Sequence, residues 1–357
     1  MHMADALLTP AVAATMYVAS GSAIGLSVHK LTRDENTAKL PTMAVTAALV
    51  FAGQMINYTI PGTGSSGHLC GGMLLSALLG PWAGFLSMAI ILTLQCLFFA
   101  DGGLMALGAN IWNMAFYGCF VGYYLVWRPI MRGRLFGDRV KPGAARSKIV
   151  TAAVLGSVLT LQLGAFSVVL ETSLSGITEL PFGAFCALMQ PIHLAIGLVE
   201  GLITAAVLLF VYEARPELLQ EVSGGEPRRG KISLKATLAV LAVLVIAVGG
   251  GLSLLASSNP DGLEWALFGN AEEGYSANMA LDEETFGVHS EFADTAANVQ
   301  ESTAFLPDYA FAGDEENALG TTVSGIVGAA MVAAVAVGIS LLGGFFRKKA
   351  KKEEKNP

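Results

Sequence analysis

The sequence predicts an all-α membrane protein that crosses the bilayer about nine times, and three observations lead to this prediction. Of its 357 residues, 54% are hydrophobic and only 14% are charged, whereas soluble domains carry about 25% charged residues. Apolar runs near or above 18 residues, the length of a membrane-spanning helix, recur along the chain. The Lys and Arg residues are confined to four short segments.

The four basic segments indicate which side of the membrane each part of the chain faces. They are residues 30–39, 128–148, 215–235 and 347–355. Lys and Arg beside membrane spans are retained in the cytoplasm. We therefore expect a multi-pass protein of a prokaryotic inner membrane, with the N-terminus extracytoplasmic and the C-terminus cytoplasmic. The N-terminus has no basic segment, and Asp5 stands where a signal peptide would carry a positive charge, so we expect it to be retained.

Counting apolar runs between the basic segments gives about seven spans before Lys235 and two after it. The runs are 6–28, 40–57, 69–79, 82–100, 104–126, 149–170 and 182–212, followed by 236–256 and 323–346. An even number must lie between the first two basic segments, so the short run 69–79 has to cross. Eleven residues of helix reach only about 16 Å. This run must therefore extend into its flanks or form a half-helix beside a buried cavity.

Charge also divides the chain into parts. A membrane domain over residues 1–215 is predicted to be joined by a basic cytoplasmic linker, 216–235, to a second domain over 236–346, and the tail 347–357 is basic. Inside the second domain, an extracytoplasmic loop, 257–321, has fourteen Asp or Glu residues and no Lys or Arg. Its aromatic residues and scattered Leu residues suggest a partly ordered segment, although we expect most of the loop to be solvated, and its charge is expected to raise the local concentration of cations.

The first five residues contain a chelating group that needs no folded structure. The α-amine of Met1 and the amide nitrogen and imidazole of His2 can close two adjacent rings on one metal ion, and Ni(II) and Cu(II) accept such planar nitrogen sites. His68, in the charge-free loop 58–72, is best placed to supply a fourth nitrogen. The span count puts His2 and His68 on the same side of the membrane. The alternative is a disordered terminus that happens to contain a histidine.

Other polar side chains lie inside the predicted spans, where such groups usually face the bundle interior. Gln95, Asn110 and Asn113 are expected either to orient metal ligands or to form hydrogen bonds between helices. His193 and Glu200 are seven residues apart on one helical face. They form either a proton or ion relay or a packing pair, and packing is the simpler interpretation.

The four cysteines show no CxxC spacing, and three of them fall within apolar spans, so we predict buried free thiols. Cys70, two residues after His68, is a minor candidate for a soft metal ligand.

Three segments resemble a known family. Residues 1–5 (MHMAD), 66–72 (SGHLCGG) and 99–110 (FADGGLMALGAN) are similar to the M component of cobalt/nickel energy-coupling-factor transporters, the CbiM and NikM type of substrate-capture permease. Residues 260–264 (PDGLE) are similar to the signature of the two-span N component. The resemblance places an M part over about 1–215 and an N part over about 232–346 in one chain.

The resemblance implies a square-planar site for the transported Ni²⁺ or Co²⁺ formed by Met1, His2 and His68. It also implies a transmembrane coupling subunit and ATPase subunits as partners. The chain itself contains no Gly-x-x-x-x-Gly-Lys-Ser/Thr phosphate loop, so ATP hydrolysis is expected to come from partners. We therefore expect a non-enzymatic transporter subunit in the lipid bilayer, with no prosthetic group and no nucleic-acid partner. The N part is expected to assist loading.

Two rival classes stay open at this point. One is a capture component for an organic vitamin, and the other is a polytopic membrane metalloenzyme using His193 and Glu200. A His-Glu-x-x-His helix would favour the enzyme, and the sequence contains none. The sequence does not separate nickel from cobalt, or a supply of metal to cobalamin synthesis from a supply to a nickel enzyme.

Overall fold

A computed structural model describes residues 2–33, 40–135, 145–177, 179–222, 232–275, 281, 286–311 and 318–354. Met1 therefore lies outside the described residues, as do residues 223–231 of the predicted basic linker. The described part of the chain is mainly helical, with one short β-hairpin near its N-terminal third.

In the described residues before 219, the first part of the chain has eight α-helices, the hairpin and a π-helix. The helices are α1 (Pro10–Arg33), α2 (Leu40–Gln54), α3 (Gly72–Leu79), α4 (Pro81–Phe99), α5 (Leu107–Asn110), α6 (Arg128–Met131), α7 (Ala145–Leu174) and α8 (Phe182–Ala214). Strands β1 (Tyr58–Ile60) and β2 (Ser65–Gly67) pair antiparallel between α2 and α3. The π-helix, Ile111–Trp127, joins α5 to α6.

The second part contains α9 (Leu234–Gly250), α10 (Gly262–Phe268), α11 (Glu291–Thr303) and α12 (Ala318–Glu354). The long helices α9 and α12 pack against each other and against α2, so the two parts share a helical interface. Gly249 and Gly325 meet where α9 and α12 cross. A Cβ on Gly325 would lie 2.0 Å from the Gly249 carbonyl oxygen, so the crossing depends on small residues.

Five helices of the described chain are long and apolar enough to cross a membrane. They lie at Pro10–Arg33, Pro81–Phe99, Ala145–Leu174, Phe182–Ala214 and Leu319–Ile339. Helices α2 and α9 are shorter but also apolar. Large apolar side chains such as Val18, Leu202 and Val243 are exposed on the bundle surface, where lipid would cover them. The chain is therefore a mostly helical membrane protein, as the sequence predicts.

The short apolar run forms a half-helix, the second of the two predicted alternatives. Every residue of α3 is buried, and eight residues of helix measure only about 12 Å. Glycines with positive φ flank it, Gly71 at 84° and Gly80 at 83°, because the chain turns sharply at both ends. Gln220 completes the C-terminal end, its side-chain amide donating to the Leu78 carbonyl at 3.1 Å.

The π-helix packs directly against α3. A Cβ on Gly118 would lie 2.7 Å from the Gly72 Cα, so the two backbones touch at this point. Gly122 similarly lies against the Met73 side chain. Long π-helical stretches are rare and often mark functional regions, and nothing in the sequence pattern predicts this one. The contact fixes the position at which α3 begins, four residues after His68.

Candidate metal centre

The N-terminal segment lies inside the bundle. Met3 and Leu8 are fully buried, and the Asn110 side chain pairs with the main chain of Met3. Its oxygen accepts from the Met3 N–H at 2.8 Å, and its nitrogen donates to the Met3 carbonyl at 3.2 Å. Asn110 therefore holds the segment as a neighbouring β-strand would. The interpretation of a disordered terminus is wrong for residues 2–8.

The turn at 101–103 lets the backbone approach the N-terminal segment. The Gly103 N–H donates to the Met3 carbonyl at 2.9 Å, and a Cβ on Gly103 would lie 1.9 Å from a carboxylate oxygen of Asp5. Gly102 has a φ of 77°, and a Cβ there would lie 3.1 Å from the His2 Cβ. Asp5 in turn accepts from the Ala106 N–H at 2.9 Å. Both glycines are thus required by the contacts around His2.

The His2 side chain is 9% exposed, and its Nδ1 lies 3.0 Å from the Asp101 carboxylate. Its Nε2 is buried and has no hydrogen-bond partner among the described residues. The His2 and His68 ring centroids are 5.3 Å apart, with 17° between the ring planes. The structure therefore brings together the two histidines singled out from the sequence, although 66 positions separate them.

His68 follows β2 and belongs to a loop fixed by main-chain contacts. Its Nδ1 contacts the Leu69 carbonyl at 3.1 Å. The next peptide groups are held by the Glu200 carboxylate, which accepts from the N–H groups of Cys70 at 2.8 Å and Gly71 at 3.1 Å. Burial lowers the pKa of both His2 and His68 below the usual 6.5. The lowered pKa favours the neutral imidazole in both residues, which is the form that binds metal.

His193 and Glu200 contact different groups. The His193 Nδ1 donates to the Met189 carbonyl of its own helix at 2.8 Å, while Glu200 binds the loop after His68. These contacts favour packing over a relay. They also show that Glu200 holds the main chain after His68, which the sequence pattern did not indicate.

The intramembrane amides divide between the two predicted roles. Asn110 holds the N-terminal segment, whereas the Gln95 amide donates to the Gln54 side chain at 3.0 Å and Asn113 donates to Glu171 at 2.8 Å. Gln95 and Asn113 thus join helices.

The Cys70 thiol donates toward the Met114 carbonyl, which favours packing over metal ligation. All four cysteines are free, and three are buried, as predicted.

The PDGLE segment lies directly over the His68 loop. Ser66 N–H donates to the Pro260 carbonyl at 2.8 Å, which continues the hairpin edge. Asp261 and Glu264 form a reciprocal capping box at the start of α10. A Cβ on Gly262 would lie 3.1 Å from the His193 ring, so the glycine allows a close approach at this point. His68, His193 and Asp261 line one small cavity at this contact.

A second contact from the acidic loop covers the His2 side. The Gln300 side chain donates to the Gly102 carbonyl at 2.7 Å. The Tyr309 hydroxyl donates to Asp101 at 2.5 Å, and its ring stacks on Phe99 with centroids 5.0 Å apart. The acidic loop is therefore partly ordered: its segments around α10 and Tyr309 pack against the first part of the chain, whereas α11 has no buried residue. No local sequence signal indicated Gln300 or Tyr309.

Within the described residues, no group of three or more His, Cys, Asp or Glu side chains is arranged to hold a metal ion. A site at His2 and His68 thus depends on main-chain nitrogens. The amide of His2 lies within the described chain, and the amine of Met1 lies outside it.

Two family descriptions match the chain. Residues 2–218 match the cobalt uptake substrate-specific transmembrane region, CbiM. Residues 235–343 match the PDGLE domain.

Relatives of similar length share the same two-part organisation. A putative fused nickel transport protein NikMN of Archaeoglobus fulgidus is 35% identical over 337 residues, covering 94% of this chain and 96% of the relative. The fused nickel transport protein NikMN of Rhodobacter capsulatus is 31% identical, with 95% and 97% covered. Among solved structures, a truncated transition metal transporter is 30% identical with a TM-score of 0.51, covering 60% of this chain and 99% of that one.

Proposed function

Because this chain belongs to the CbiM family of cobalt uptake substrate-specific transmembrane regions and carries a PDGLE domain, we propose that it captures Ni²⁺ or Co²⁺ for an energy-coupling-factor importer. The relatives that span nearly the whole chain are nickel transport proteins by name, which favours nickel. The protein is then a transporter subunit and not an enzyme. The same family match disfavours the vitamin-capture and metalloenzyme alternatives.

We assign the substrate site to the Met1 amine, the His2 amide and imidazole, and His68. The observation that supports this most is the approach of the two imidazoles, with centroids 5.3 Å apart. With metal–nitrogen bonds of about 2 Å, imidazoles on adjacent corners of a square plane have centroids roughly 4.4 Å apart, and those on opposite corners roughly 6.3 Å. Both rings are therefore within reach of one ion after small side-chain movements.

Binding at His2 requires a local exchange. A six-membered chelate ring with the His2 amide uses Nδ1, and Nδ1 contacts Asp101 in the structure. The incoming ion therefore replaces Asp101 as the partner of Nδ1, by rotation of the imidazole or by withdrawal of the carboxylate. Asp101 stays close enough for its negative charge to stabilise the bound cation.

For the whole chain, we propose the topology that the basic segments indicate. An M-type domain over 1–215 crosses the membrane seven times with its N-terminus outside. A cytoplasmic linker, 216–235, joins it to a two-span N-type domain over 236–346, whose extracytoplasmic loop is 257–321, and the tail 347–357 is cytoplasmic. The loop then lies on the side from which the ion arrives, which fits its contacts with both histidine regions.

Transport also needs partners in this proposal. The sequence has no nucleotide phosphate loop, so a transmembrane coupling subunit and ATPase subunits supply the energy for release into the cytoplasm. Within this chain, the second domain assists loading by holding the turn at 101–103 and the loop before α3. These are the two structural elements beside His2 and His68.

Metal content of the purified full chain tests this function. We expect one Ni²⁺ or Co²⁺ per chain by mass spectrometry, and loss of the metal when one Gly is added before Met1, because the extra residue moves the amine away from His2. His68→Ala should also lose metal. A matched control with one Gly added after Pro357 should keep it. Metal retained in the N-terminally extended protein would contradict the assigned site.

A further inference from the structure

Glu200 is a buried carboxylate that capture of the ion, as proposed above, does not use. It lies in α8 and is 1% exposed. Burying a carboxylate in a membrane bundle is costly unless hydrogen bonds and charge offset the loss of water. The contacts that stabilise it therefore indicate what it does.

The partners of Glu200 are main-chain groups at the start of α3. One carboxylate oxygen accepts from the Cys70 N–H at 2.8 Å and the other from the Gly71 N–H at 3.1 Å. Gly71 is the residue that precedes the first turn of α3, and no side chain of α3's own segment caps this end. A carboxylate at a helix N-terminus is stabilised by the free N–H groups and by the helix dipole. Glu200 is thus the cap of the half-helix, supplied from another helix.

This cap fixes the segment that carries His68. The carbonyl of Cys70 accepts from the Gln54 side chain at 2.9 Å, so both sides of this residue are held. At Gly72, contact with the Gly118 backbone prevents a shift toward the π-helix. His68 is two residues before Cys70, and its rotation therefore depends on this anchored main chain.

We propose that Glu200 is the positioning residue of His68: by capping α3 it sets the orientation at which His68 closes the fourth side of the metal site. This inference rests on the proposed function, in which His68 is a metal ligand. It predicts that removing the cap weakens binding through His68 and through no other ligand.

The experiment is a double-mutant cycle on the full-length chain with its native N-terminus in detergent. Ni²⁺ affinity and the visible absorption spectrum of bound Ni²⁺ are measured for the wild type, Glu200→Gln, His68→Ala and the double variant. Glu213→Gln is the matched control, because Glu213 lies at the other end of α8 in an exposed ion pair with Arg146.

We expect Glu200→Gln to raise the Kd about tenfold or more and to shift the Ni²⁺ spectrum toward that of His68→Ala. In the His68→Ala background the same substitution should change the Kd by less than about twofold. Glu213→Gln should match the wild type. Glu200→Asp keeps the carboxylate and should recover part of the affinity and of the wild-type spectrum. It replaces Glu200→Gln in the cycle if the Gln variant does not fold.

The positioning role would be overturned if the Kd increases of the two single variants multiply in the double variant. It would also be overturned if Glu200→Gln bound Ni²⁺ with wild-type affinity. Wild-type affinity in His68→Ala would instead show that the assigned metal site is wrong. The two failures are therefore distinguishable.

Discussion

The two histidines are held in different ways. His2 lies near the chain terminus and is placed by side chains, since Asp101 contacts its imidazole and Asn110 holds the next residue. His68 lies in a loop whose main chain is fixed by Glu200 and by pairing of Ser66 with Pro260. The first arrangement can release its histidine when one side-chain contact is exchanged. The second holds its histidine in one place.

This difference suits a site that must both admit and enclose an ion. On our account the His2 side supplies three of four nitrogens and rearranges when the ion arrives, whereas the His68 side is a fixed fourth ligand. Because His68 is already held in place, binding carries a lower ordering cost on that side. Each prediction below either strengthens this contrast or removes it.

The largest expected effect separates the two histidines themselves. Without the His2 imidazole to hold the ion beside the amide, the amide keeps its proton, so His2→Ala loses two nitrogens at once. We expect the Kd for Ni²⁺ to rise on the order of a thousandfold, against roughly ten- to a hundredfold for His68→Ala. Competition titration of the full chain measures both, with exposed His29→Ala as the control. An equal rise in Kd for His2→Ala and His68→Ala would contradict the proposed difference between the two histidines.

The protons released on metal binding should come from the amine and the amide on the His2 side. Because burial lowers the pKa of both imidazoles, they contribute less to proton release at pH 6–7 than ordinary histidines would. At pH 6 the amine, with an ordinary pKa of about 7.7–8.0, and the amide each lose one proton on binding. The Kd should then rise roughly a hundredfold from pH 7 to pH 6.

Titration calorimetry in buffers of different ionisation enthalpy counts these protons. We expect about two per ion, unchanged in His68→Ala. A count near three or four would mean that the imidazoles are protonated in the free protein and would contradict their buried, neutral state.

Asn110→Leu should have the next largest effect. It leaves the buried Met3 N–H without its partner, which costs about 1–3 kcal/mol, while the Met3 carbonyl loses one donor and keeps its bond from the Gly103 N–H. We expect about tenfold weaker Ni²⁺ binding. Gln162→Leu is the control, because it breaks a side-chain amide hydrogen bond between two other helices, from Gln162 in α7 to the Gln190 carbonyl in α8. It should lower thermal stability but change the Kd less than about twofold, and a similar loss of affinity in both variants would indicate general destabilisation.

Tyr309→Phe should have the smallest effect. The variant keeps the ring on Phe99 but loses the hydroxyl bond to Asp101, a contact worth about 1 kcal/mol. We expect the rate of Ni²⁺ binding, measured by stopped-flow absorption, to change about two- to threefold. Tyr117→Phe, which loses a bond to Ser167, is the control. If Tyr309→Phe bound Ni²⁺ at the same rate as Tyr117→Phe, the contact of the second domain with Asp101 would have no influence on the His2 side.

Much of the fold could be predicted because hydropathy and charge are local signals. The runs at 182–212 and 40–57 correspond closely to α8 (Phe182–Ala214) and α2 (Leu40–Gln54). The run 69–79 is too short for a complete membrane-spanning helix, which left extension into its flanks or a half-helix as the alternatives, and α3 is the second of these. Asp261 and Glu264 also have the spacing of a capping box, which is a local signal for the start of α10.

The contacts around the candidate site were only partly predictable. Terminal chelation follows from local chemistry, which is why Met1, His2 and His68 could be proposed from sequence. Glu200 meets Cys70 across 130 positions and Tyr309 meets Asp101 across 208. Such pairs depend on how apolar helices pack, and hydropathy does not specify which faces of those helices meet.

The central claim is that one ion is bound by four nitrogens, three from the N-terminal side and one from His68. X-ray absorption at the nickel K-edge of the Ni²⁺-loaded full chain tests it most directly. The account predicts four nitrogen ligands in a plane, two of them imidazoles. A six-coordinate ion with oxygen ligands, or any sulfur ligand, would contradict it.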